Sequence, residues 1–184
     1  MLDAVLRRNF EEYLAPVAAR LAAWRIQADA LTASAFVLTA VAVFDIAHQH
    51  FYFGLGFLTG ARLAEALAGA VARRAGPTAF GAALDRLLGA VSAGAVPFAF
   101  ALAEPERALA AMFLMLGLVV RAGATLVQEP QPGQIGFTVG KSELYAAFAV
   151  ACLFPNWFSI IAYGVGILCF IAAGSRLAAV SRGP

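Results

Sequence analysis

Six apolar runs, near residues 29–48, 51–73, 80–103, 107–127, 142–160 and 158–180, take up almost the whole chain. Each is close to the 20 or so residues that a helix needs to cross the hydrocarbon of a bilayer. The chain is 62% hydrophobic and 13% charged, with a mean hydropathy of +0.81. Soluble domains lie nearer half apolar and a quarter charged. No stretch is left for a separate soluble domain, and no cleavable signal peptide is expected before the first run. The expected fold class is all-α and integral to the membrane, one domain over 1–184. Residues 28–180 form six transmembrane helices, and 1–27 an interfacial helix ahead of them.

The basic residues alternate with the runs. Arg7, Arg8, Arg20 and Arg25 precede the first, Arg73 and Arg74 follow the second, Lys141 precedes the fifth, and Arg176 and Arg182 close the chain. The opposite loops carry mainly Arg107. The positive-inside rule then puts both termini in the cytoplasm, as in a bacterial inner membrane. Residues 2–25 mix charged and apolar positions at helical spacing, with Tyr13 and Trp24 as interfacial anchors, which predicts a helix lying along the membrane surface. "QEPQPGQIGFTVGK" reads as a loop, and "FPNWF" as a turn around Pro155 and Asn156. Gly54, Gly56, Gly60, Ala66 and Gly69 are small enough for close helix packing. Cys152 and Cys169 sit in apolar runs and read as small buried hydrophobes. Nothing in the charge pattern points to a nucleic-acid partner.

Ionisable residues at membrane depth cost several kcal/mol unless they face a partner or a polar cavity. Asp45, His48 and His50 fall at the outer end of the first run, within reach of headgroups and water. Arg121 in the fourth run calls for a carboxylate partner. The dense group is "RLAEALAGAVARRAGPTAFGAALDRLLGA", which carries Arg62, Glu65, Arg73, Arg74, Asp85 and Arg86. Antiparallel packing of the second and third spans is expected to bring Glu65, Gly69, Arg73 and Asp85 to one cytoplasm-facing cleft.

This segment resembles the signature of the membrane CDP-alcohol phosphotransferases (CDP-alcohol phosphatidyltransferases), D-x2-D-G-x2-A-R-x8-12-G-x3-D-x3-D. "EALAGAVAR" covers Glu65 to Arg73 and "GAALDRLLG" covers Gly81 to Gly89. Gly69, Ala72, Arg73, Gly81 and Asp85 match. Glu65, Ala68 and Gly89 stand where the pattern has Asp, and the spacer of seven residues is one short. "WRIQADALT", "GPTAFGAALD" and "GFTVGKSELYAAFAVACLFP" are similar to other segments of that family, so the resemblance runs along most of the chain.

The resemblance implies a six-span fold, a CDP-alcohol ligand, divalent metal (Mg or Mn) held by the four carboxylates, homodimerisation, and a general base at the fourth Asp. Its binding positions would be Gly69, Ala72, Arg73 and Gly81, and its remaining metal ligands Glu65 and Asp85. Paired metals clamp the oxygens of a phosphoryl transfer, and magnesium asks for near-octahedral oxygen ligands. Ala68 and Gly89 supply no side-chain oxygen, and at Gly89 the base is gone, a group worth ~10²–10⁴-fold in rate. The expectation is a degraded transferase, with or without bound metal, that serves as a membrane scaffold or as a subunit beside another membrane protein. The alternative is an active phosphotransferase of phospholipid synthesis using one ion on Glu65 and Asp85. Solute transport has less support, since no paired interrupted helices of inverted-repeat type are visible.

Overall fold

The computed structural model describes residues 15–21, 23–24, 27–76, 79–126 and 139–181. After a helical stretch at 15–21, the described residues form the helices α1 (Ala28–Ala47), α2 (Phe51–Ala75), α3 (Ala79–Ala103), α4 (Ala108–Leu126), α5 (Lys141–Leu153) and α6 (Phe158–Ser181). The protein is an all-α integral membrane protein. Among the described residues, five segments are long and apolar enough to cross a bilayer: Ala28–Ala47, Phe51–Arg74, Ala79–Ala103, Pro105–Ala124 and Pro155–Ala178. The expected fifth span is shorter than the sequence suggests. α5 has 13 residues, about 20 Å of helix against a hydrocarbon thickness near 30 Å. Pro155 explains the difference, because the Pro155–Trp157 segment turns as a 3-10 helix and so ends α5 at Leu153. Of the expected interfacial helix, residues 15–21 are helical and Trp24 is exposed; its remainder, with Tyr13, lies outside the described residues, as does most of the 128–141 loop.

The chain divides into two compact units, residues 1–95 and 96–184, with the boundary inside α3. In the first unit α1 and α2 pack closely against each other. The buried stripe of α1 is Thr32, Ala35, Thr39, Ala42 and Ile46, all but Ile46 small, at alternating spacings of three and four that let a second backbone approach. Gly54 of α2 meets this stripe: a Cβ there would lie 2.6 Å from Ile46 Cγ1 and 3.2 Å from the Ala42 carbonyl. Gly56 does not share that role, since a Cβ on it would meet nothing within 4 Å. The hairpin is closed by the turn after α1. The His50 N–H donates to the Asp45 carbonyl (2.8 Å) and the Gln49 N–H to the Ile46 carbonyl (2.9 Å). These are the paired bonds of a Schellman motif, with Gln49 in the left-handed region at φ 65. His48 Nδ1 lies 2.8 Å from the Phe44 carbonyl, which can only accept, so that nitrogen carries the proton.

In the second unit α4 and α6 form the close pair. Their backbones cross at two glycines: a Cβ on Gly117 would lie 3.0 Å from the Gly166 carbonyl oxygen, and one on Gly166 would lie 2.7 Å from the Phe113 ring. Phe113 fits over Gly166 between Tyr163 and Phe170, with ring centroids 5.4 and 5.6 Å away. Phe100 stacks on Phe158 at 4.2 Å, both rings buried. Cys152 and Cys169 are buried free thiols, as expected of small core residues. Hydroxyls within the spans bond back into their own helices, Thr39 to the Ala35 carbonyl (2.9 Å) and Thr59 to that of Leu55 (2.9 Å). Such groups need internal partners where water is absent.

Candidate functional site

The motif residues lie on α2 and on the first part of α3, all in the first unit. On α2 the face that carries Gly54, Leu58 and Ala61 continues through Glu65 and Ala68. Ala61 and Ala68 are buried, and the Glu65 side chain between them is 12% exposed. Glu65 is held by its own helix: Arg62 Nη1 donates to Glu65 Oε2 at 2.9 Å, one turn away. A turn further on, Arg73 folds back along the helix, so that a Cβ on Gly69 would be 3.4 Å from its Nη1. Arg73 and Arg74 occupy the last turn of α2, where positive side chains complement the carbonyl end of the helix. Gly76, at φ 92, then stops it.

Gly81, Asp85 and Gly89 recur every fourth residue and share one face of α3, Asp85 being half-buried. α2 has α1 as its close neighbour. Among residues 79–91 none is buried, and Phe80, Leu87 and Val91 are exposed. The small-residue stripe of α1 admits α2 at Gly54. The structure joins Arg62 to Glu65 and sets Arg73 beside Gly69.

The donor set does not fit a divalent metal centre of the kind the motif implies. Ala68 and Gly89 offer no ligand, Glu65 already receives Arg62, and among the described residues no three His, Cys, Asp or Glu side chains are grouped to hold an ion. Magnesium and manganese sites of phosphoryl-transfer proteins rest on several carboxylate oxygens.

A polar cluster in the second unit is one that motif reasoning does not find. Arg121, expected to pair with a carboxylate, instead donates Nη1 to the Val139 carbonyl (3.1 Å), and its Nε is buried with no partner. Glu143 Oε2 on α5 is likewise buried and unpartnered. Arg176 of α6 reaches the Ala124 carbonyl at 3.4 Å, one of the last four of α4, which have no partner within their own helix. The signal available in the sequence was the pair of charges at membrane depth, Arg121 and Glu143. The partner of Arg121 lies 18 residues away and that of Arg176 lies 52 away, separations that no local pattern encodes.

This arrangement of helices is already known. Three solved structures of phosphatidylinositol phosphate synthase (PgsA1) from Mycobacterium tuberculosis share it. The form with CDP-DAG bound gives a TM-score of 0.75 at 20% identity, over 93% of this chain and 94% of that one. The complex with manganese and citrate gives 0.75 at 21%, over 93% and 90%, and the apo form 0.77 at 21%, over 91% and 95%. The fold is that of the CDP-alcohol phosphatidyltransferases. By sequence, the inner membrane protein YnjF of Escherichia coli strain K12 is 31% identical over 169 residues, 83% of this chain and 82% of its own length. The chain belongs to the same family as that inner membrane protein. No protein-family model matches the sequence.

Proposed function

We propose that this chain is a CDP-alcohol phosphatidyltransferase-like protein that has lost transfer activity and acts as a membrane scaffold or as a subunit beside another membrane protein. The observation that carries this reading is the state of the four carboxylate positions. Glu65 is bound to Arg62, Ala68 is buried without a donor, Asp85 keeps its carboxylate, and Gly89 has no side chain to act as base. Phosphoryl transfer relies on positioning and charge neutralisation by metal, and both need the missing oxygens. The apolar helix surfaces are independent of that chemistry and persist. Gly69, Ala72, Arg73 and Gly81 are kept, and in this reading they leave room for a CDP-alcohol, with Arg73 toward phosphate. The proposed topology has both termini in the cytoplasm of a bacterial inner membrane, and a homodimer or a heteromeric membrane complex as the working form.

The test is turnover. Purified protein in lipid is incubated with labelled CDP-diacylglycerol, Mg²⁺ or Mn²⁺, and a panel of alcohol acceptors. No release of CMP above the protein-free control is expected. Metal-dependent release that disappears in Asp85→Ala would overturn the reading in favour of an active transferase with a reduced metal site. Purification from native membranes in mild detergent checks the second half: a co-purifying membrane protein supports the subunit role, and a free homodimer argues against it.

A further inference from the structure

The misfit between the motif and a divalent metal leaves a question of charge. Glu65 lies on α2 between the buried Ala61 and Ala68, with its side chain 12% exposed. A carboxylate so shielded needs a counter-ion. We propose that Arg62 is that counter-ion: its guanidinium takes the place a divalent cation would have on Glu65, so this part of the first unit is ordered without metal and does not load one.

Three observations support the assignment. The Nη1–Oε2 distance of 2.9 Å is that of a charge-assisted hydrogen bond, and the two residues are three apart on one helix, where side chains meet without any tertiary rearrangement. Arginine cannot give up its proton at any ordinary pH, so the positive charge is permanent. Finally, residues 62–89 hold four arginines (Arg62, Arg73, Arg74, Arg86) against two carboxylates (Glu65, Asp85). A segment with that excess of positive charge repels a divalent cation. An incoming ion would have to displace a guanidinium, and one turn further on it would find Ala68 in place of a second ligand.

The inference rests on the same replaced positions as the proposed loss of activity, but it is tested by binding and stability rather than by turnover. Mn²⁺ is titrated into the protein in lipid nanodiscs and followed by electron paramagnetic resonance, with Tm measured in EDTA and in millimolar Mn²⁺. Wild type is expected to leave the free Mn²⁺ signal undiminished and to melt at the same temperature in both. Arg62→Ala is expected to lower Tm by several degrees in EDTA and to recover part of the loss in Mn²⁺, whereas Arg62→Lys keeps the wild-type behaviour. If Arg62→Ala alone does not fold, the double variant Arg62→Ala/Glu65→Gln, which removes both charges, is expected to regain a melting temperature near that of wild type. Near-stoichiometric Mn²⁺ uptake by wild type at micromolar concentration, or a double variant no more stable than Arg62→Ala, would overturn the assignment. CMP release is measured on the same samples. Turnover in EDTA would refute the loss of activity and leave the counter-ion standing, and Mn²⁺ uptake without turnover would do the reverse.

Discussion

Arg107 shows what a single residue can hide. In the sequence it sits in a short outer turn, "AEPERA", and counts only as the main basic residue of the outer loops. In the structure it is 7% exposed, with Nη2 at 2.6 Å from Glu104 Oε2 and 3.3 Å from Asn156 Oδ1. It thus ties the Pro105–Arg107 turn to the Pro155–Trp157 turn within the second unit. Glu104 could be anticipated three residues away, but Asn156, 49 residues on, could not. Arg107→Ala is expected to cost about 1–3 kcal/mol, since the buried guanidinium's hydrogen bonds to Glu104 and Asn156 are lost together. Chemical unfolding in detergent micelles, followed by tryptophan fluorescence, checks this. The motif positions were the opposite case. Glu65, Ala68 and Gly89 could be read directly as departures from a signature, because the identity of a residue is itself the loss of a ligand. What the pattern could not show is that the Glu65 carboxylate is held by Arg62, since the rotamers of two long side chains are not encoded by their spacing alone.

Between elements, the boundaries of α1, α2, α3, α4 and α6 fall within one or two residues of the apolar runs. Strong local punctuation explains this: His48–His50, Gly76–Pro77 and Glu104–Pro105 interrupt the hydrophobic pattern where helices stop. Which helices touch was less legible, because small residues are scattered through every span and only some meet a neighbour. Gly117 and Gly56 make the contrast measurable. Gly117→Ala is expected to destabilise by about 1–3 kcal/mol, because its new methyl would press on the backbone of α6 at Gly166. Gly56→Ala adds a methyl to open space, so it is expected to be neutral or to stabilise by up to ~1 kcal/mol through helix propensity. Thermal melts of both variants in the same detergent give the comparison.

For the whole molecule, the fold class followed from hydropathy alone, and the likeness to solved phosphatidylinositol phosphate synthases extends over more than nine-tenths of the chain. The topology we propose makes a direct prediction. A fluorescent protein fused at the C-terminus is expected to be bright, and alkaline phosphatase fused after Glu104 to be active; the reverse pattern would invert the orientation. α5 bears on how such a protein is made. With 13 residues that include Lys141 and Glu143, it is too short and too polar to partition into lipid unaided. The three-residue turn at Pro155 leaves it no independent course from α6. The last two helices are therefore expected to enter the bilayer as one hairpin, after most of α6 has left the ribosome. Until then, a nascent chain halted in the middle of α6 would hold α5 outside the hydrocarbon, exposed to quality-control proteases.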